Sequence, residues 1–305
     1  MKSESNLEKV LTSGGFAVTA ELAPPRSANR SDVEKKAAPF KGLVDALNVS
    51  DNKSAIVEMS SIATARIVLG TGIEPVVQMV SRDRNRIAMQ SDLFGASALG
   101  LRNVLCLTGD HQRFGNQPEA KNVFDLDSIQ MLAMVKGMRD AKQLLGGETF
   151  NSALPVFIGA VENPFADPFI ARVQRLAKKV SAGADFIQTQ CVFDLERFGK
   201  WMDGVRERGL NEKVFILAGV MPLESADAAE RINANPCGFV VPDAIVARLK
   251  GVSKDKQADE GVSIAVELVA KIREIKGIKG IHILSGGCEQ LAVQVIERAG
   301  LKKSK

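Results

Sequence analysis

The sequence contains no tyrosine, a single tryptophan and two histidines, and its aromatic fraction is only 5%. Proteins that grip single-stranded nucleic acid need aromatic platforms for stacking bases, so this scarcity argues against that class. Charge points the same way. Forty Lys+Arg against 36 Asp+Glu leave +4, too little and too evenly spread for a nucleic-acid footprint. No run of about 18 apolar residues occurs, so no membrane-spanning helix is expected. The start, Met1-Lys2-Ser3-Glu4-Ser5-Asn6, has neither the apolar core nor the cleavage site of a secretion signal. Cys106, Cys191, Cys237 and Cys288 lie far apart without a C-x-x-C pair, and only His111 and His282 accompany them, so no local zinc site is expected. They read as reduced thiols of a cytoplasmic protein. G-x-G-x-x-G after a strand, G-x-x-x-x-G-K-[ST] and G-x-S-x-G are also missing. Their absence removes the usual markers of nucleotide-binding open sheets and of a serine hydrolase elbow.

What is present is ordinary globular material: 45% apolar and 25% charged residues in a chain of 305, long enough to bury a large core. Short apolar runs alternate with amphipathic segments. The runs Phe16–Glu21, Ala46–Val49, Pro75–Val80, Val104–Thr108, Val156–Val161, Phe186–Thr189, Val214–Gly219 and Gly280–Leu284 are rich in Val, Ile and Leu and continuous rather than alternating. Strands buried on both faces of a parallel sheet read this way. Helical spacing marks Leu126–Leu145, Asp167–Val180 and Val262–Ile275, with Asp167 placed to cap its helix, Pro168 at the first helical position and Gly183 as a stop. Gly251–Gly261 reads as a polar loop. Eight strands with helices between them predict an α/β fold, a closed (β/α)8 TIM barrel, as a single domain over residues 1–305; an open doubly wound sheet is the alternative.

In such a barrel the active site lies at the C-terminal ends of the strands. Glu21 ends the first run, Ser50-Asp51-Asn52 follows the second, and Gln78 lies in the third. Thr108-Gly109-Asp110-His111 follows the fourth, Glu162-Asn163 the fifth, Gln190 the sixth and Ser285-Gly286-Gly287 the eighth. Glu21 and Asp110 therefore reach one rim from different strands, and two carboxyl groups in different environments suit acid/base chemistry. Solvation or helix capping is the plainer reading of each alone, but the apolar neighbours of Glu21 count against it there. Arg82-Asp83-Arg84-Asn85-Arg86 would hold a phosphate or pair with itself. Lys178 and Lys179 suit a helix C-terminus through the dipole. His111 reads as an exposed loop residue.

Four ordered blocks carry a resemblance. They are Thr19-Ala20-Glu21-Leu22-Ala23-Pro24-Pro25-Arg26, Leu107-Thr108-Gly109-Asp110, Ala182-Gly183-Ala184-Asp185 with Gln188-Thr189-Gln190, and Gly219-Val220-Met221-Pro222. In this order they resemble the methylenetetrahydrofolate reductase family, and the resemblance covers most of the chain, roughly Phe16 to Ile296. The resemblance implies a flavin-containing (β/α)8 barrel that delivers hydride from reduced flavin to 5,10-methylenetetrahydrofolate, giving 5-methyltetrahydrofolate. It implies that Glu21 is the acid that opens the imidazolidine ring. Asp110 is the carboxylate near flavin and pterin, and Gln190 holds the folate. Flavin contacts fall at Ser50, Gln78, Thr108, Gly109, Asp110, Asn163, Ala166, Arg172, Arg175 and Lys179. Gly109, Asp110, Ala166 and Lys179 keep the residue of the commonest branch, whereas Gln78 stands for a His and Thr108 for an Arg. Lys179 lies ~18 Å along a straight helix from Asp167, so its contact requires a helix that starts well above the rim.

Compared with the NADH-using bacterial branch, Ile232 occupies the position of the aromatic residue that stacks on nicotinamide. Ala228 replaces a second substrate glutamine, and Cys288, within His282-Ile283-Leu284-Ser285-Gly286-Gly287-Cys288, replaces a substrate arginine. Arg82–Arg86, Ser91-Asp92-Leu93, Leu105–His111 and Phe124-Asp125-Leu126-Asp127-Ser128 resemble the branch of acetogens and C1-metabolising bacteria instead. That branch implies a zinc-containing or redox partner subunit and electron carriers other than NADH. The expected cofactor is FAD, with FMN as the alternative; NADH or NADPH as donor, and a homo-oligomeric state, stay open. The competing readings are a pterin-binding methyltransferase-like barrel and a subunit active only with a redox partner.

Overall fold

The computed structural model describes residues 1–234 and 238–301, so Cys237 lies outside the described residues. A seven-residue helix, α1 (Asn6–Thr12), precedes the first strand. Then follow β1 (Ala17–Leu22), α2 (Arg30–Ala37), β2 (Ala46–Val49), α3 (Ser61–Gly70), β3 (Pro75–Val80), α4 (Arg86–Ala98), β4 (Asn103–Leu107) and α5 (Ser128–Lys136). The second half runs β5 (Phe157–Glu162), α6 (Ile170–Ala182), β6 (Phe186–Cys191), α7 (Leu195–Glu207), β7 (Phe215–Val220), α8 (Ala226–Ala234), α9 (Asp243–Lys250), α10 (Gln257–Arg273), β8 (Ile278–Ile283) and α11 (Glu289–Arg298). Every strand is parallel to its neighbours, and β8 closes on β1 through pairs such as Thr19 with His282. The closed eight-stranded barrel is therefore the observed fold, and the open sheet is excluded.

The apolar runs became strands because both faces are buried: all six residues of β1 and of β3 are shielded from solvent. Three local expectations need correction. The helix expected from Asp167 begins at Ile170 without a side-chain cap, and Asp167 instead accepts from Arg197 Nη2 at 2.8 Å. The helix expected over Leu126–Leu145 ends its α-helical part at Lys136 and continues as a wider turn over Gly137–Ala141. The expected loop Gly251–Gly261 is helical from Gln257, and there Gly261 packs on the Leu223 carbonyl, where a Cβ would stand only 1.8 Å from the oxygen.

Side chains alternate along each strand, which sorts the lumen by height. Near the strand N-termini Ala17, Ala46, Val76, Leu105, Phe157 and Phe186 form an apolar layer. Leu7 and Leu11 of α1 complete it from below, and α1 is seated by the Glu74 carboxylate on the Asn6 and Leu7 N–H groups. Two residues further up, Thr19, Asn48, Gln78 and Gln188 replace the apolar set. The lumen thus changes from apolar floor to polar rim within one strand length.

Candidate active site

The polar layer is a closed hydrogen-bond set. Asn48 and Gln188 exchange amide bonds of 2.7 and 3.1 Å, Gln188 also donates to Thr19 Oγ1 at 3.2 Å, and Thr19 Oγ1 lies 3.0 Å from His282 Nδ1. Burial pushes His282 down to about 4, against the pull of the Glu21 carboxylate, so its ring is neutral near pH 7.

Glu21 stands directly above, only 6% exposed. Its Oε1 accepts from Lys53 Nζ at 2.5 Å and its Oε2 from Gln78 Nε2 at 3.2 Å. Burial alone would raise this carboxyl group. The Lys53 ammonium and these hydrogen bonds outweigh burial and hold it below the ordinary carboxylate range.

A cavity of about 420 Å³ opens above Glu21. It brings together Glu21, Gln78, Thr108, Gly109, Asp110, Asn163, Arg172, Arg175, Lys179 and Gln190, each expected from the sequence. Two expected flavin contacts do not join them. Ser50 is buried just past the end of β2, its backbone N–H on the Leu22 carbonyl, and it does not line the cavity although it shares the phase of the inward-facing Asn48. Ala166 lines a neighbouring cavity of about 490 Å³ with Phe165, Phe193, Arg197 and Phe239. Asn163 separates the two cavities, its Nδ2 donating to the Gly238 carbonyl at 2.5 Å.

Lys179 sits in the last turn of α6, yet it reaches the cavity. Helical side chains point back toward the N-terminus, and its Nζ climbs to Glu162 Oε2 at 2.8 Å and to the Val161 carbonyl. Burial, together with Arg172 and Arg175 nearby, lowers the Lys179 pKa despite Glu162. Arg175 lies one turn above and Arg172 two, and the buried Arg172 Nε has no hydrogen-bond partner among the described residues.

The basic segment after β3 pairs with itself and its neighbours. Arg82 is buried and donates to Asp83, to the Asp110 carbonyl at 3.0 Å and to the Asn52 carbonyl at 3.1 Å. Arg84 binds Asp51 and Asp92, and Arg86 binds Asp125. Arg82 thereby ties the Asp110 loop to the Lys53 loop. His111 is exposed, as expected.

Sequence reasoning gave Lys53 and Asn48 no place, and it set Glu162 on the rim and Gln188 in a motif without assigning either a role. Lys53 follows the Ser50-Asp51-Asn52 segment already placed on the rim, so strand-end position was the one available signal. The three departures from the NADH-using branch also prove to be neighbours. Ala228, Ile232 and Cys288 share a third cavity of about 370 Å³ with Met221, Arg231 and Ser285.

Comparison with known proteins agrees with this architecture. Methylenetetrahydrofolate reductase 1 of Schizosaccharomyces pombe is 28% identical over 210 residues, covering 68% of this chain and 32% of that protein. The probable methylenetetrahydrofolate reductase (NADPH) of Caenorhabditis elegans is 25% identical over 254 residues, 83% of this chain and 36% of that one. The chain thus spans about a third of the length of these two relatives. The 5,10-methylenetetrahydrofolate reductase of Pectobacterium carotovorum is 22% identical over 234 residues, 76% of this chain and 72% of that one. Among solved structures, an uncharacterized protein from Clostridium thermocellum, described as binding two copies of 5-methyl-5,6,7,8-tetrahydrofolic acid, superposes with a TM-score of 0.65. It is 15% identical and covers 98% of this chain and 99% of its own, a likeness of fold. Residues 6–300, which take in every strand of the barrel, match the family described as methylenetetrahydrofolate reductase, and the chain belongs to that family.

Proposed function

We propose that this barrel reduces 5,10-methylenetetrahydrofolate to 5-methyltetrahydrofolate, or runs the reverse oxidation, with a flavin bound in the same single domain. The observation that carries this reading is the meeting of Glu21, Asp110 and Gln190 with Arg172 and Arg175 around one cavity. The residues fit a flavin nucleotide. Arg172 offers a buried N–H without a partner among the described residues, and Arg175 adds a second cation for a phosphate. Gly109, at φ +89°, turns the chain beside the cavity without a side chain. FAD is the form proposed, with FMN as the alternative to distinguish.

A bound reduced flavin supplies the hydride. The residues of the chain supply the rest. Opening the imidazolidine ring breaks its bond to N10 and leaves an iminium at N5, and the proton that N10 gains comes from Glu21. Asp110 accepts hydrogen bonds from the pterin, and its negative charge favours the cationic iminium. Gln190 orients the folate from the β6 side. The asymmetry of the two carboxylates serves these roles, since Glu21 is buried and Asp110 is exposed on the rim.

The test is an anaerobic absorbance spectrum of the purified chain before and after addition of methyltetrahydrofolate, NADH or NADPH. A flavin band that methyltetrahydrofolate bleaches supports the reading and ranks the donors. A colourless protein that still binds folate overturns it in favour of a pterin-binding methyltransferase-like barrel.

A further inference from the structure

Both oxygens of Glu21 are occupied, one by Lys53 and one by Gln78. An acid that hands a proton to a substrate nitrogen needs an oxygen free to carry it. The two partners differ in how readily they leave. Gln78 is buried within β3, which is paired to β4 on one side and β2 on the other. Lys53 stands on the loop after β2 with its side chain 42% exposed, at the end of a flexible four-carbon stem.

The backbone beneath Lys53 is fixed. Asn52, Ser54 and Ala55 have φ of 47°, 54° and 58°, a region that residues with a Cβ occupy at a cost. Neighbours hold them there. Arg82 donates to the Asn52 carbonyl, and Asn52 Oδ1 accepts from the Glu58 N–H at 3.1 Å. Gly115 lies so close to the Ala55 carbonyl that a Cβ would stand 1.8 Å from its oxygen. A rigid loop thus presents a mobile cation.

A second berth for that cation adjoins the first. Glu58 closes the same loop, its backbone N–H on Asn52 Oδ1, and its carboxylate lies within the electrostatic reach of the Lys53 ammonium. Glu58 Oε2 is buried and has no hydrogen-bond partner among the described residues. We propose that Lys53 is a positioning residue that guards Glu21 in the folate-free protein and swings to Glu58 when folate fills the cavity, freeing Glu21 to take up a proton from solvent beside its substrate. This rests on Glu21 being the acid of the proposed reaction. No other bond changes: the proton enters from water and leaves on N10.

The charged surroundings agree. Facing Glu21 are Lys53 and, from β8, His282, which is neutral near pH 7. Facing Lys53 are Glu21, Cys191 from β6 and Glu58. Burial raises the Glu58 pKa, while Lys53, Arg26 and Lys36 pull it down, so a closer ammonium would favour its ionised form.

The experiment uses the reduced flavin-loaded protein, mixed anaerobically with 5,10-methylenetetrahydrofolate from acidic to neutral pH while flavin reoxidation is followed. The second-order rate constant reports groups of the free protein, and the limiting rate reports those of the complex. In Lys53→Gln the pH break of the second-order constant is expected to rise by about one pH unit or more, while the break in the limiting rate stays at its wild-type position. Lys53→Arg should restore the wild-type profile. Glu58→Gln, which removes the second berth, should lower the break in the limiting rate. Independently of turnover, calorimetry in buffers of different ionisation enthalpy should show proton uptake on binding of 5-methyltetrahydrofolate to the reduced protein, and less uptake in Lys53→Gln. Both breaks moving together in Lys53→Gln would mean that Lys53 never leaves Glu21, and neither moving would mean that the pair has no bearing on the acid; each overturns the guard. Full activity in Glu21→Gln would instead overturn the underlying reading of Glu21.

Discussion

Below the level of Thr19 the lumen is packed by Leu7 and Leu11 and by the rings of Phe157 and Phe186, stacked at 5.2 Å between centroids. Two residues further along the same strands it holds an amide pair, a neutral histidine and a buried carboxylate. The lower half can be dry because Gly159 leaves room for the Phe186 ring, whose Cζ would lie 2.3 Å from an added Cβ. The upper half keeps polar groups that cost stability unless they are paired. Strand alternation lets one sheet do both. The lower half makes the barrel stable, and the upper half spends part of that stability on a site.

Substitutions that separate the halves should show this. Phe186→Ala, in the dry half, is expected to cost roughly 3–5 kcal/mol in denaturant unfolding while leaving flavin binding intact at low temperature. A loss of flavin with unchanged stability would erase the distinction. Acid acts on the upper half. The native pKa of His282, about 4, lies below its ordinary 6.5, so the unfolded chain binds its proton first. Its contribution is complete above the unfolded value and declines as pH falls toward the folded one, by roughly 3 kcal/mol in all. His282→Asn should flatten that part of an acid-unfolding curve.

Arg82→Met removes the tie between the Asp110 and Asn52 carbonyls. It is expected to cost about 2 kcal/mol of stability and to slow folate turnover as well, because both rim loops lose their anchor. Ser50→Ala should have the smallest effect. Ser50 does not line the cavity and its hydroxyl has no partner among the described residues, so flavin affinity should stay unchanged in a fluorescence titration, with less than about 1 kcal/mol change in stability. A clear loss of flavin would restore Ser50 to the site.

The lower half was the more legible in sequence. Strands buried on both faces leave continuous apolar runs, and these located all eight. Their C-terminal ends were less clear, since Glu162 and the Gln190–Cys191 pair are polar or mixed yet still lie within β5 and β6. For the site, Glu21, Asp110 and Gln190 were legible because strand-end position and motif agreed, whereas Arg172 and Arg175, on α6, came from the resemblance alone. Ser50 was expected from strand-end position and resemblance and Ala166 from resemblance alone, and neither lines the cavity. Lys53 was illegible for a physical reason. A left-handed loop of non-glycine residues has no local signature, and what imposes it is Arg82 and Gly115, distant in the chain. Lys179 was misjudged along the helix axis because its stem runs back toward the rim.

The most direct test of Glu21 as the acid is anaerobic mixing of the reduced flavin-loaded protein with 5,10-methylenetetrahydrofolate, in wild type and Glu21→Gln, at matched flavin content. The wild type should reoxidise its flavin, and Glu21→Gln should bind flavin normally yet reoxidise at least about 100-fold more slowly. Equal rates in the two proteins would contradict the role assigned to Glu21.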